Sequence, residues 1–225
     1  MNNPLHCVKR QDIHLTLETI RVVHAERRVQ IKRRLDEFSA IWKSGSNDLL
    51  WEEMVYCFFT GGCSAKMGLK AVAASRHLLQ NGSREELTQS LLGVHRYPNA
   101  RSGYVVASRE ILREQCDFDI RKALAANNDF HGRRDWLVKE IKGLGYKEAS
   151  HFLRNIGFRG YAILDKHVLR CMAELRLIED PKPPSTRLRY LNTEALLKQF
   201  AISYDLDFDE LDLVLWSIKT GEILK

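Results

Sequence analysis

Gly143, Gly145, Lys147 and Asp165 stand in one short stretch, "IKGLGYKEASHFLRNIGFRGYAILDKH", running from Ile141 to His167. A glycine pair in G-x-G spacing allows the positive φ of a tight turn between helices. Such a turn leaves backbone N–H groups beside a helix start, where they can seat a phosphate oxygen. Lys142, with Lys139 and Arg154 nearby, could add positive charge toward the same backbone. Lys147 opens the second helix of the turn, where the positive end of the helix dipole disfavours an ammonium and makes its amine easier to use as a nucleophile. Asp165 stands where the next helix begins, a position that can hold a carboxylate in place by N-capping. Taken singly, the glycines could simply join two packed helices, Lys147 could be a surface ion-pair partner, and Asp165 a cap. Taken together, they read as a catalytic lysine and carboxylate behind a phosphate-holding hairpin.

Helices must position these groups. Apolar residues recur at helical spacing, as in Ile31, Leu35, Phe38 and Trp42, and strand-like alternation is nearly absent, so the chain reads as all-α. Ser46-Asn47-Asp48 ends one long helix and caps "LLWEEMVYCFF"; "TGGCSA" turns into a third helix that ends near Leu79. Ser83 with Glu86 makes a capping box for a fourth. Pro98 suits the first turn of a helix carrying Tyr104, Val105, Ile111 and Leu112. Short helices are expected over 119–126 and 133–140, flanking "KGLGY", with another after Asp165. "EDPKPPSTR" reads as a short surface connection, followed by helices over 193–200 and 208–219, the latter with Asp207 and Glu210 as a second capping box. Two helical lobes are expected, with 47–157 ending in the hairpin as one, and 1–46 plus 158–225 as the other. Lys147 would then reach into the cleft from one side and Asp165 from the other.

The chain has 225 residues, enough for two modest lobes, and its 44% hydrophobic and 28% charged content is that of a folded globular protein. Lysine and arginine number 35 against 29 acidic residues, a net charge of +6 that favours a polyanionic partner. Cys7, Cys57, Cys63, Cys116 and Cys171 are scattered, without a metal-ligand spacing, and read as reduced thiols of an intracellular protein. His6, His14 and His24 read as solvated helix residues. No apolar run is long enough to span a bilayer and the N-terminus lacks a signal-peptide core, so a cytoplasmic location is expected, nucleoid-associated in a prokaryote.

The hairpin block, with "HRYPNAR" and "LDLVLW", resembles the helix–hairpin–helix DNA glycosylases, within them the archaeal-type, second-class 8-oxoguanine DNA glycosylase/lyases. The likeness runs from about Arg33 to the C-terminus and is most specific from the hairpin to the aspartate. It implies base-excision repair by a monomer acting on double-stranded DNA that contains oxidised guanine, with no cofactor, no metal and no membrane. It also implies that Lys147 forms a Schiff base with the sugar and that Asp165 assists. Tyr97 and Trp216 would sandwich the extruded base, and Lys225, with its free carboxylate, would accept the extra N7–H of the oxidised base. Lys142, Gly143 and Gly145 would hold the DNA backbone. Where relatives read T-A-N-aromatic-S-A, this chain has Thr60-Gly61-Gly62-Cys63-Ser64-Ala65, too small to fill the hole an extruded nucleotide leaves, so that Arg96 or another side chain would have to intrude. That departure keeps open a glycosylase for another lesion. A noncatalytic hairpin DNA-binding module, in which Lys147 only touches phosphate, is the alternative from another class.

Overall fold

The computed structural model describes residues 15–127 and 129–225, and among these it shows α-helices and one 3-10 turn, with no strand. In chain order the helices are α1 (Leu17–Ser44), α2 (Asn47–Thr60), α3 (Ala65–Ser75), α4 (Arg84–Leu91), α5 (Pro98–Cys116), α6 (Ile120–Ala126), α7 (Phe130–Glu140), α8 (Tyr146–Asn155), α9 (Lys166–Glu174), α10 (Arg187–Ser203) and α11 (Phe208–Thr220). None of them is long and apolar enough to cross a membrane.

Local signals account for most helix starts. Ser46 accepts from the Leu49 N–H and Ser64 from the Met67 N–H, and Ser83 and Glu86 exchange both bonds of a capping box. The expected capping box at α11 does not form as such. Asp207 accepts from the Asp209 and Glu210 N–H groups, whereas the Glu210 side chain, largely buried, pairs with His24 of α1. A long-range partner has taken the side chain that a local motif would have used. For the same reason His24 is not merely solvated, since its side chain is 25% exposed and spent on Glu210; His6 and His14 lie outside the described residues. α10 begins earlier than expected because Thr186 caps it by accepting from the Arg189 N–H. Cys57, Cys63, Cys116 and Cys171 carry free thiols, and Cys7 lies outside the described residues.

Two clusters of buried apolar side chains form. One gathers α2 through α8, from Leu50 to Ile156, and includes Tyr161. The other joins Ile20, Ile31, Leu35 and Phe38 of α1 to α9, α10 and α11. α2 is the spine of the first, buried from Leu50 to Thr60 except for half-buried Glu52. α1 reaches α8 through Gly157, whose φ is +95° and on which a Cβ would stand 2.7 Å from the Ser39 Cα. A side chain there would push the two helices apart.

A buried network ties the clusters together. Arg134 of α7 is fully buried and its guanidinium donates to Glu194 of α10 at 2.6 and 3.3 Å and to the Ser150 Oγ of α8 at 3.1 Å. Glu194 also accepts from the Ala162 N–H at 3.1 Å, and the Tyr190 hydroxyl donates to the Ala162 carbonyl at 2.7 Å while accepting from the Leu164 N–H at 3.4 Å. The irregular segment that leads to Asp165 is therefore held by α10 on one side and, through Arg134 and Ser150, by the hairpin helices on the other.

Candidate active site

The hairpin turn lies between α7 and α8. Gly143 has φ +97° and packs so closely on Tyr104 that a Cβ would come within 2.5 Å of its ring. Only glycine fits there, both by backbone and by space. Gly145 is different: at φ −87° it is the N-cap of α8, and its conformation is open to other residues. The two glycines thus do different work, and the positive φ expected of the pair is needed at Gly143 alone. Lys142 is exposed, and its carbonyl accepts from the Ser108 Oγ at 3.2 Å.

α8 follows directly, with Lys147 in its first turn. The Lys147 side chain is 23% exposed and stands 3.5 Å from Glu148, a contact loose enough to leave its amine available. Asp165 caps α9, one carboxylate oxygen accepting from the His167 and Val168 N–H groups at 2.7 and 2.9 Å. That oxygen is spent on fixing the carboxylate, and the other makes no hydrogen bond among the described residues. Both residues line one cavity of about 1110 Å³, which is shared by Gly145, His151, Arg154, Asp212, Trp216 and Lys225. A purine nucleotide fits such a volume, and pockets of this kind take small planar ligands.

Trp216 is the half-buried residue of α11 between buried Leu215 and Ser217, and it lines the cavity. Tyr97 does not line that cavity. It lies beside Gly62, whose Cβ would be 3.5 Å from the ring, and is 40% exposed. Arg96 does reach the cavity wall, with its guanidinium 5.3 Å from the Tyr97 ring, and both are mounted on His95, which is buried and bonded to the Phe59 carbonyl and the Tyr97 N–H. Gly62 and Cys63 line the cavity next to them. Lys225 comes to the wall with its ammonium paired to Glu53 of α2.

Three cavity residues carry electrostatics that the sequence alone did not reveal. Arg154 was expected near the DNA backbone, but it is 5% exposed, 3.6 Å from Asp212 and over the Phe38 ring, and burial lowers its pKa. It cannot act as a surface phosphate contact. Asp212 is pushed up to about 6 by burial, although Arg154 and the Ile163 N–H oppose the shift. His151 is held well below the usual imidazole value by burial first, then by Arg154 and Lys147, with the Lys225 backbone opposing. Lys147, His151 and Arg154 are spaced i, i+4, i+7 on α8, the spacing of one helix face. That periodicity is the signal by which the sequence could have grouped them.

A family model described as 8-oxoguanine DNA glycosylase matches residues 31–206. The 8-oxoguanine DNA glycosylase/AP lyase of Korarchaeum cryptofilum is 36% identical over 212 residues, 94% of this chain and 98% of the relative. Among solved structures, the 8-oxoguanine DNA glycosylase of Thermotoga maritima is similar with a TM-score of 0.84 at 33% identity, covering 93% of this chain and 98% of that one. The 8-oxoguanine glycosylase/lyase of Methanocaldococcus jannaschii, solved with a 15mer DNA containing 8-oxoguanine, gives a TM-score of 0.85 at 31% identity, covering 92% and 98%. With a hairpin, a lysine and a capping aspartate set around one cavity, the chain belongs to the 8-oxoguanine DNA glycosylase family.

Proposed function

We propose that this protein excises 8-oxoguanine from double-stranded DNA and cleaves the strand at the resulting abasic site, with Lys147 as nucleophile. The observation that carries this reading is the convergence of Lys147 and Asp165 on one cavity from helices packed in different apolar clusters. The glycosidic bond is out of reach inside a duplex, so the damaged nucleotide leaves the stack and enters the cavity. The Lys147 amine attacks C1′ as the bond to the base breaks, and the base departs with that electron pair. Asp165, fixed by its two backbone bonds, stabilises the positive charge developing on the sugar and accepts a proton from the lysine. The sugar ring opens to an imine. Loss of a proton from C2′ then breaks the C3′–O bond by β-elimination, and water releases the lysine.

Trp216 supplies a stacking face for the base, worth about 1–3 kcal/mol. Tyr97 would complete a sandwich only by turning inward from the rim, and Lys225 contacts the oxidised base from the cavity wall. Lys142, Gly143 and Gly145 bind the backbone of the DNA. The two-lobe division at 47–157 is supported by the separate apolar clusters. A DNA substrate is consistent with a cytoplasmic protein, on the nucleoid in a prokaryote, and the reading takes it to act as a monomer.

Borohydride trapping tests the assignment. Wild-type protein with a duplex carrying one 8-oxoguanine should give a covalent adduct, and Lys147→Gln should give none. Asp165→Asn should slow turnover yet bind the duplex as wild type does; loss of binding instead would make Asp165 a structural cap only.

A further inference from the structure

The segment after α11 keeps Ile223 against the second apolar cluster while its flanking residues are fastened to the first. Its Glu222 pairs with Lys66 of α3, and Thr220 bonds to the backbone of Glu222 at 3.4 Å. Lys225 then pairs through its ammonium with Glu53, which is 1% exposed in the middle of α2. The second Glu53 oxygen accepts from the Asn155 Nδ2 of α8 at 3.2 Å. The Tyr56 hydroxyl, one turn along α2 from Glu53, donates to the Lys225 carbonyl at 3.5 Å, and the ammonium stands 5.5 Å from the Tyr56 ring centroid. Tyr56 in turn meets His151 edge to face at 5.6 Å, which places the Lys225 backbone beside the helix face that bears Lys147.

A carboxylate this deep is retained only where a cation compensates it. Among the described residues, the cation that pairs with Glu53 is Lys225, 172 positions away in the chain. We propose that Glu53 is a positioning residue for base selection: with Tyr56 and Asn155 it clamps Lys225, and so fixes the wall of the cavity against which the extruded purine is read. The inference rests on the reading of Lys225 as a contact to the oxidised base. It adds that this contact depends on a buried carboxylate in the first apolar cluster, reached by a segment that straps the two clusters together along one side of the cavity. An abasic sugar carries no base to read, so the clamp matters for excision and not for the later lyase step.

Two activities are therefore measured for Glu53→Gln, Lys225→Met and the double variant: excision of 8-oxoguanine relative to guanine, and cleavage of a duplex with a preformed abasic site. The expected result is that each single variant loses excision of 8-oxoguanine by on the order of 10-fold or more in kcat/KM, with abasic-site cleavage nearly unchanged. The double variant should be no worse than either single one, because both break the same pair. If Lys225→Met is impaired and Glu53→Gln is not, Lys225 keeps its role and the clamp is wrong. If neither changes excision, the clamp is wrong, because both variants break the Glu53–Lys225 pair while Lys225→Met keeps the terminal carboxylate, and Lys147→Gln still reports separately on the chemistry. If Glu53→Gln loses excision and abasic-site cleavage together, Glu53 is a general support of the fold and the proposal is overturned. Tyr56→Phe removes only the hydroxyl and gives a milder variant with the same expected split between the two activities.

Discussion

Truncating Glu194 to alanine should cost more than any surface change in this protein. The substitution strips Arg134 of both its carboxylate bonds and leaves a fully buried guanidinium with, among the described residues, Ser150 as its remaining hydrogen-bond acceptor. Aromatic rings stand around that charge, with Tyr161 and Tyr190 each at 5.3 Å, but they do not replace a carboxylate. Removing one partner of a buried pair costs about 3–5 kcal/mol, against a total stability of about 5–15 kcal/mol. For a chain of this length each kcal/mol lowers Tm by about 2–4 °C, so the melting temperature should fall by roughly 6–20 °C. Circular dichroism at the helix band measures it. A companion, Arg134→Met with Glu194→Leu, removes both charges and should recover part of the loss. The variant should also trap abasic DNA more slowly, because the Ala162 N–H loses the acceptor that holds the approach to Asp165. A fall in Tm of less than about 3 °C, or a double variant less stable than Glu194→Ala, would refute the view that this pair braces the two clusters.

Gly143→Ala meets both a positive φ and the Tyr104 ring, so it should lose about 2–4 kcal/mol of stability and weaken binding to undamaged duplex in a salt titration. Asp212 holds its proton up to about pH 6, above the about 4 of an unfolded aspartate. The folded state therefore binds the extra proton, and the stability that Asp212 contributes is fully present below about pH 4 and is lost as pH rises through about 6. The Tm difference between wild type and Asp212→Asn should move against wild type across that window, and a flat difference would contradict it. Trp216→Ala should reduce excision of 8-oxoguanine by on the order of 10-fold while sparing cleavage of a preformed abasic site; unchanged excision would remove Trp216 from the cavity's working residues.

Residues that act on their immediate neighbours were legible. Ser46, Ser64, Ser83 and Asp165 cap the helices that follow them because a cap is a bond between side chain and backbone two or three residues apart. The hairpin was legible for the same reason, with Gly143 confined by its own φ. Asp207 and Glu210 mark where such reasoning stops: the spacing of a capping box is present, yet Glu210 turns to His24, on a helix 186 positions earlier. Arg154 marks it too, since nothing in "HFLRN" says whether the guanidinium meets phosphate or Asp212.

By itself, then, the sequence determined the all-α class, the hairpin, and the candidates Lys147 and Asp165 on flanking helix starts, since all of these rest on periodicity and on bonds between near neighbours. Only the tertiary structure decided which side chains share the cavity. It brought Lys225 to Glu53 and Arg134 to Glu194, buried Arg154 against Asp212, and left Tyr97 on the rim. Those outcomes depend on how helix faces far apart in the chain pack. Burial sets the energies of charged groups most strongly, and a linear sequence does not state which of its charges will be buried together.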